Sequence, residues 1–384
     1  MPFSELQLQL DERAAKGLLR QRRIVTRAQG ARLTVDGKQY ISFCSNDYLG
    51  LANHPGILEA LKRGADRYGV GAGAAHLVSG HSMAHEQLES ELAAFIGKPS
   101  ALLFSTGYMA NLGAVHALID RGDTVFADKL NHASLNDAML LSRATVKRYR
   151  HNDIEQLEAM LGETKKGRKL VCTDAVFSMD GDRAPLPELL DLCEKHDAWL
   201  LLDDAHGFGA SGREGRGTLA HFGIDSPRII YMATLGKAAG VFGAFVAAEE
   251  IVIDTLVNNA RSYIYTTATP PALSVALSES LKLIAEGNEW RAHLQSLITK
   301  LRKGLEGLRW ALMESGTAIQ PLMIGGNQAA LDLSVALRER GIWVPAIRPP
   351  TVPDGTARLR ITLSAAHTVS DVETLTENLH ELAR

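Results

Sequence analysis

The sequence predicts an α/β protein with a mainly parallel central sheet that is covered by helices. Short apolar segments alternate with amphipathic segments between Ala101 and Ala248, as expected for successive strand and helix units. The 384 residues, 46% of them hydrophobic and 22% charged, are enough for two domains that each have a core. The expected strands are residues 101–104, 124–127, 170–173, 199–202, 229–233 and 245–248.

The segments before this region predict an N-terminal arm and two helices. Residues 4–23 are amphipathic and carry both charges, which favours a helix, and residues 33–41 alternate around an Asp-Gly turn, which favours a hairpin. Residues 58–68 predict a charged helix. The helix that buries residues 88–96 should end near Gly97, because glycine commonly terminates helices.

The C-terminal part predicts a second, smaller α/β domain. Residues 271–286 and 288–315 predict long helices, and a shorter alternation of strand and helix follows them. Helical periodicity is interrupted at residues 286–288, which indicates a boundary there. We expect the arm to pack with the C-terminal domain. The expected division is an N-terminal arm 1–45, a large domain 46–287 and a small domain 288–384.

Composition favours small-molecule chemistry. The net charge is −3 and the basic residues are scattered, which argues against binding to a nucleic-acid backbone. Cys44, Cys172 and Cys193 are far apart and lack the spacing of a zinc site or a disulfide framework, so no metal is expected. The N-terminus does not resemble a secretory signal, and no apolar run reaches membrane-spanning length. We therefore expect a cytoplasmic protein.

Two residues suggest pyridoxal phosphate chemistry. Lys237 lies on a turn of small residues, where an amine can form a Schiff base with an aldehyde. Asp203 ends an apolar strand, and a carboxylate there can hold a pyridine nitrogen protonated. The alternatives are a solvated lysine and an aspartate that caps the following turn.

Further residues could surround the same ring. Residues 105–108 lie between a strand and a helix expected to start near Met109, where backbone amides bind phosphate, although a plain tight turn would look similar. Thr234 could also reach the phosphate. His206 and Ser178 could contact the ring oxygen, and His132 could stack on the ring. A structural or loop histidine is the alternative for His206 and His132.

Two other patterns were weighed. Residues 69–74 fit a dinucleotide-binding fingerprint, but they follow a predicted helix instead of a strand, which indicates a flexible loop near the substrate. Arg358 and Arg360 share one face of a predicted strand, so either could bind a carboxylate in a cleft. A solvated sheet edge is the alternative for both arginines.

Seven motifs in this order resemble the α-oxoamine synthases, over nearly the whole chain. They are SNDYLGL (45–51), NHAS (131–134), HND (151–153), FSMDGD (177–182), DDAHG (203–207), TLGK (234–237) and IRPPTVP (347–353). The resemblance implies a fold-type I transferase that binds pyridoxal 5'-phosphate. It also implies a homodimer with the active site at the subunit interface.

The resemblance assigns roles to individual residues. Catalysis would depend on Lys237, His132 and Asp203. The cofactor would be bound by Gly107, Tyr108, His132, Ser178, Asp203, His206, Thr234 and Lys237, with Thr266 or Thr267 from the neighbouring subunit. The substrates would be bound by Arg20, Asn46, His132, Thr351 and Arg360.

The implied reaction is the decarboxylative condensation of L-alanine with a pimeloyl thioester, in biotin biosynthesis. The thiol carrier would be coenzyme A or acyl carrier protein. Related reactions stay open, such as that of 2-amino-3-ketobutyrate CoA ligase, which uses glycine and acetyl-CoA. A non-enzymatic cofactor-binding regulator is a further alternative, which the retained catalytic residues disfavour.

Four residues depart from the expected family pattern. Phe208 and Phe242 stand where smaller residues are common, and Ala72 and Ala74 lie in a loop that is often richer in serine. We expect these differences to change the shape of the pocket and the acyl-chain preference, and to leave the catalytic residues intact.

Overall fold

The structure, a computed structural model, describes residues 2–384, which form two compact units. Unit 1 comprises residues 2–50, Met179–Asp182 and Ala292–Arg384. Unit 2 comprises Leu51–Ser178 and Arg183–Arg291. The division into an arm and two domains that the sequence suggested stays a prediction.

The helices and strands are numbered separately in chain order. The helices are α1 Ser4–Ala15, α2 Pro55–Tyr68, α3 Met83–Ile96, α4 Gly107–Leu118, α5 Ala133–Ser142, α6 Ile154–Glu163, α7 Leu186–Lys195, α8 Gly217–Phe222, α9 Glu250–Asn259, α10 Arg261–Ile264, α11 Pro271–Glu286, α12 Asn288–Gly304, α13 Asn327–Glu339 and α14 Val369–Leu382. The strands are β1 Arg32–Val35, β2 Lys38–Ser42, β3 Ser100–Phe104, β4 Thr124–Asp128, β5 Thr145–Tyr149, β6 Lys169–Asp174, β7 Trp199–Asp203, β8 Ile229–Thr234, β9 Ala244–Ala248, β10 Ala311–Leu312, β11 Ile319–Gly325, β12 Ile342–Trp343, β13 Ala346–Ile347 and β14 Ala357–Thr362.

Unit 2 is built around a seven-stranded sheet in the order β3-β9-β8-β7-β6-β4-β5. The strands from β8 to β5 pair in parallel, and β9 is antiparallel to both of its neighbours. Helices α4, α5 and α9 contribute apolar residues to the core that covers one part of this sheet. The predicted α/β architecture and the six predicted strands are confirmed.

The prediction missed strand β5. It pairs only with β4, at the edge of the sheet, and most of its residues are exposed or half-buried. Its sequence includes Lys147 and Arg148, so it lacks the apolar run that marks the buried strands. A parallel strand at an edge does not need the continuous apolar sequence of an internal strand.

Two predicted helices are too long. Helix α1 ends at Ala15 instead of residue 23, and Gly17 then takes a left-handed conformation with φ of 65°. Helix α12 ends at Gly304 instead of residue 315, and part of the remaining segment forms β10. Helix α1 thus ends at a left-handed glycine, which is a common form of helix termination.

The glycine-rich loop and the hairpin have the expected contexts. Residues 69–75 directly follow helix α2, so they lack the preceding strand that a dinucleotide fingerprint needs. His76–Gly80 then form one π-helical turn. The hairpin of β1 and β2 turns at Asp36 and Gly37, whose φ values of 48° and 80° fit a type I′ turn.

Unit 1 contains two small sheets. Strand β2 pairs with β1 and with β12, and a second sheet has the order β10-β11-β14-β13. Strand β14 is internal to its sheet, and every one of its residues is buried. The solvated-edge alternative for Arg358 and Arg360 is therefore wrong.

Three neighbouring strands of unit 2 end in buried carboxylates. Asp128, Asp174 and Asp203 are the last residues of β4, β6 and β7, and the β6 and β7 residues pair directly in register. Because parallel strands present their carboxyl ends at one edge, this edge of the sheet is the expected place for a ligand site.

Among residues 2–384, no helix is long and apolar enough to cross a membrane.

Helices α2 and α11 approach each other at Gly64. A Cβ atom at Gly64 would lie 2.9 Å from the Cα of Ala272 and 3.1 Å from the Cβ of Val275. We expect Gly64→Ala to lower the free energy of unfolding by roughly 1–3 kcal/mol through overpacking. The measurement is the urea midpoint of unfolding.

Gly162 in α6 provides the matched control. A Cβ atom there would meet only His196 Cε1, at 3.8 Å. Gly162→Ala should raise the stability by about 0.5–1 kcal/mol, because alanine is the better helix former. Equal effects of the two substitutions would contradict the close helix contact.

Candidate active site

A cavity of about 180 Å³ in unit 2 brings together most of the residues that were expected to bind a cofactor. It is lined by Gly107, Tyr108, His132, Ser134, Asp174, Asp203, Ala205, His206, Met232, Thr234 and Lys237. A larger cavity of about 990 Å³ in the same unit, lined by residues such as Arg143 and Arg261, contains none of these side chains. The chemistry of the smaller cavity makes it the candidate active site.

Lys237 lies on a tight turn between β8 and β9. The amide of Gly240 donates to the carbonyl of Lys237 at 2.8 Å, and Gly240 has φ of 69°. A Cβ atom at Gly240 would lie 2.5 Å from the carbonyl carbon of Leu51, so the turn is packed directly against main chain. The Nζ atom of Lys237 lies 2.9 Å from Nε2 of His206, which holds the amine in the cavity.

Asp203 is a buried carboxylate with two amide donors. Its Oδ2 accepts a hydrogen bond of 2.7 Å from Nδ2 of Asn111, and its Oδ1 accepts one of 3.0 Å from the amide of Ala205. The hydrogen bond from the amide of Ala205 caps the following turn, which was the alternative role that the sequence left open for Asp203. The carboxylate also lines the cavity, so it stabilises the turn and faces the site.

His132 is the N-cap of α5. Its Nδ1 accepts from the amide of Ser134 at 3.3 Å and lies 2.8 Å from Oγ of Ser134, while its own amide donates to Asp174 at 3.1 Å. Desolvation of the ring lowers the pKa of His132 below its usual value, although the residue keeps an exposed surface. His132 is therefore held as a neutral imidazole at neutral pH.

Asp174 is the second carboxylate of the cavity. Burial, and then the negative charge of Asp203, raise the pKa of Asp174 well above its usual range. Two carboxyl groups that end paired strands in a buried site repel each other when both are ionised, which favours the protonated form of Asp174.

The N-terminus of α4 forms another side of the cavity. Gly107 and Tyr108 are the first residues of this helix, which Thr106 caps by accepting from the amide of Met109 at 3.2 Å. Thr234 lines the cavity as well and donates to the carbonyl of Gly243 at 3.0 Å. Helix N-terminal amides bind anions, so this side suits a phosphate.

Three residues of the expected cofactor set do not line this cavity. Ser178 is half-buried and follows β6 after a short turn. Thr266 and Thr267 lie in the segment after α10, the first half-buried and the second exposed. Their contribution from a neighbouring subunit stays a prediction.

Unit 1 brings together Asn46 and Arg360, which were expected to bind substrate. Both terminal nitrogens of Arg360 donate to Oδ1 of Asn46 at 3.2 Å, and Nη1 also donates to Thr362 at 2.8 Å. Arg358, on the same face of β14, is instead paired with Asp180. The ion pair gives Arg358 a structural partner, and Arg360 is the better candidate for a bound carboxylate.

Arg20 and Thr351 also contact each other in unit 1. Nη2 of Arg20 donates to the hydroxyl of Thr351 at 3.1 Å, and both residues are exposed. The adjacent Arg348 donates to the carbonyl of Gly17, which attaches the segment after α1 to this loop. The pairing places two residues with the same expected role side by side, and their role in acyl binding stays a prediction.

Sequence reasoning missed Asn111, Ser134 and Asp174. Asn111 lies inside α4 and Ser134 inside α5, where polar residues are difficult to distinguish from exposed ones without a structure. Asp174 had a detectable signal, because it ends an apolar strand as Asp203 does. The same reasoning applied to each strand end would have found it.

Phe208 does not line the cavity, contrary to the expectation that it changes the pocket. It is 1% exposed and packs edge-on against Phe95 and Phe245, with ring centroids 5.9 and 5.4 Å away. Phe242 is 46% exposed and is also absent from the lining. The larger side chain at position 208 fills the core.

The chain is similar to known proteins over almost its full length. The family model of class I and II aminotransferases matches residues 38–379. An 8-amino-7-oxononanoate synthase of Nitrosospira multiformis is 62% identical, over 98% of this chain and 95% of that protein. The enzyme of the same name from Nitrosomonas europaea is 58% identical over the whole of both chains.

Solved structures show the same fold. A serine palmitoyltransferase of Sphingomonas wittichii superposes with a TM-score of 0.93 at 30% identity, over 99% of this chain and 96% of that one. An 8-amino-7-oxononanoate synthase of Francisella tularensis gives a TM-score of 0.79 at 33% identity, over 89% of this chain and 97% of that one. The predicted fold-type I architecture is confirmed.

The two phenylalanines should respond differently to truncation. We expect Phe208→Leu to lower the free energy of unfolding by roughly 1–3 kcal/mol, because it removes buried aromatic contacts. Phe242→Leu should change it by less than about 0.5 kcal/mol, because that side chain is partly in solvent. Denaturant unfolding of both variants checks this, and a larger loss for Phe242→Leu would contradict the packing.

Proposed function

The chain belongs to the class I and II aminotransferase family, and from this membership we propose that it condenses L-alanine with a pimeloyl thioester, using pyridoxal phosphate. The products are 8-amino-7-oxononanoate, carbon dioxide and the free thiol, in biotin biosynthesis. The observation that carries the proposal is the cavity that joins Lys237, Asp203 and the N-terminus of α4. Relatives that are 56–62% identical and bear the name of this activity support the choice of reaction.

The chemistry of the cavity fits each functional group of pyridoxal phosphate. A primary amine at Lys237 suits the aldehyde, the carboxylate of Asp203 suits the pyridine nitrogen, and the amides of Gly107 and Tyr108 suit the phosphate. When bound, the pyridinium ring accepts the electron pair left by breaking a bond at the substrate Cα. The hydroxyl of Thr234 would assist at the phosphate.

Lys237 moves the protons of the reaction. Its amine takes the proton from Cα of L-alanine and returns a proton to the same carbon at the end. His206, 2.9 Å from the amine, orients it. The carboxylate of Asp203 would keep the pyridine nitrogen protonated, and His132 would contact the ring and the substrate. Ser178 and His206 are assigned to the ring oxygen.

The remaining bonds form and break without a further acid or base from this protein. Cα of L-alanine bonds to the carbonyl carbon of the thioester, and the thiol leaves as its carbon–sulfur bond breaks. The Cα–carboxylate bond then breaks and releases carbon dioxide. Arg360, held by Asn46, would bind the alanine carboxylate, and Arg20 and Thr351 would bind the acyl chain.

A homodimer and a cytoplasmic location are parts of the same proposal. By the resemblance to the α-oxoamine synthases, Thr266 or Thr267 would contribute to the phosphate site of a second copy. Cys44, Cys172 and Cys193 are all unpaired, as in a reducing compartment.

The test is a substrate comparison with the purified holoenzyme. Thiol release and carbon dioxide release should be fastest with L-alanine and pimeloyl-CoA or pimeloyl-acyl carrier protein. We expect Lys237→Ala to lower kcat by at least about 10³-fold, because it removes the acid and base. Lys282→Ala, an exposed lysine of α11, is the matched control and should retain full activity.

Two outcomes would overturn the proposal. A higher kcat/KM with glycine and acetyl-CoA would assign the chain to the 2-amino-3-ketobutyrate CoA ligase reaction. Binding of pyridoxal phosphate without turnover of any amino acid and thioester pair would indicate a non-enzymatic regulator.

A further inference from the structure

We propose that Asn111 and Ser134 are positioning residues that connect Asp203 to His132 and fix the tautomer of His132. The two side chains form one continuous series of hydrogen bonds between these groups. The inference deepens the proposed function, because it concerns two residues of that catalytic site. Asn111 lies in α4 and Ser134 in α5, so the series also joins two helices.

The direction of each hydrogen bond follows from the chemistry of the groups. Nδ2 of Asn111 donates one hydrogen to Oδ2 of Asp203 at 2.7 Å and the other to Oγ of Ser134 at 2.9 Å. A carboxylate only accepts, so the amide nitrogen must face Asp203. The hydroxyl of Ser134 then accepts from Asn111 and has its own hydrogen left for Nδ1 of His132, 2.8 Å away.

A second, longer contact agrees with this role of His132 Nδ1. The backbone amide of Ser134 points at the same Nδ1 at 3.3 Å, and a backbone N–H can only donate. Nδ1 is therefore an acceptor in both contacts. In a neutral imidazole the hydrogen must then lie on Nε2.

The burial of Asn111 indicates that its side chain serves to donate hydrogen bonds from Nδ2. Asn111 is fully buried, Ser134 is 1% exposed and Asp203 is 5% exposed. The Oδ1 atom of Asn111 is buried and has no hydrogen-bond partner. A buried amide that leaves its oxygen unpaired destabilises the protein, which a purely structural position would avoid.

The series couples two groups that act on different parts of the site. The amide of Asn111 sets the plane of the Asp203 carboxylate, together with the amide of Ala205. Ser134 sets the plane and the tautomer of the His132 ring. A catalytic group loses efficiency when the residue that orients it is removed, because the group then adopts several orientations instead of one.

The test compares Ser134→Ala, Asn111→Ala and the double variant with wild type as holoenzyme. Selective 15N labelling of histidine and NMR would report the tautomer of His132, which is assigned by comparison with His132→Gln. We expect the Nε2–H tautomer in wild type and a mixture of tautomers in Ser134→Ala, where only the longer contact of 3.3 Å from the backbone amide to Nδ1 remains. In Asn111→Ala, the hydroxyl of Ser134 no longer accepts a hydrogen bond from the amide of Asn111. We therefore expect a partial shift of the tautomer of His132.

Kinetics separate positioning from a structural role. Each single variant should lower kcat by on the order of 10- to 100-fold, as removal of groups behind a functional ligand typically does. The KM for L-alanine should change much less. The loss in the double variant should be smaller than the product of the single losses, because both residues act in one series. Ser134→Thr keeps the hydroxyl and should restore most of kcat.

Ser142→Ala is the matched control. Ser142 is buried in the same helix, and its hydroxyl donates to the carbonyl of Met139 at 2.7 Å. Its substitution should leave the tautomer and kcat unchanged. Effects of Ser134→Ala no larger than those of Ser142→Ala, or a wild-type His132 protonated at Nδ1, would overturn the proposal.

The two proposals fail in different ways. Wild-type protein that turns over no amino acid with any thioester contradicts the proposed function, while the NMR spectra still report on the tautomer of His132. If the wild-type protein is active but Ser134→Ala leaves the tautomer of His132 unchanged, only the positioning role is contradicted.

Discussion

The site depends on the burial of two carboxylates at the ends of paired parallel strands. Asp174 and Asp203 lie side by side in register, in a region where water cannot solvate them freely. Such groups are stable only when donors and cations surround them. Asn111 donates to Asp203 and the amide of His132 donates to Asp174, so the hydrogen bonds that these buried groups require also assemble the cavity.

The sequence predicted the parts of the molecule that depend on local pattern. The buried strands of unit 2 have continuous apolar runs, and Lys237 and Asp203 stand on recognisable turns at strand ends. The missed features depend on long-range contacts. Strand β5 is recognisable only beside β4, and Asn111 contacts Asp203, 92 positions later in the chain, only through folding.

Arg358 and Arg360 illustrate the same limit. Period-two alternation places both on one face of β14, and sequence reasoning had no means to separate them. Their partners are distant in sequence, because Asp180 pairs with the first and Asn46 receives hydrogen bonds from the second. Folding thus gives two chemically identical side chains different environments, one paired with Asp180 and one hydrogen-bonded to Asn46 and Thr362.

The glycine at position 240 has a consequence for how this turn tolerates change. The main chain of Leu51 and Ala52 occupies the space that any side chain at position 240 would need. The loop that carries Lys237 therefore packs against backbone atoms. Every residue type has these atoms, so the contact does not depend on which side chains surround the loop. Neighbouring side chains can therefore change in size and polarity without moving the turn that carries Lys237.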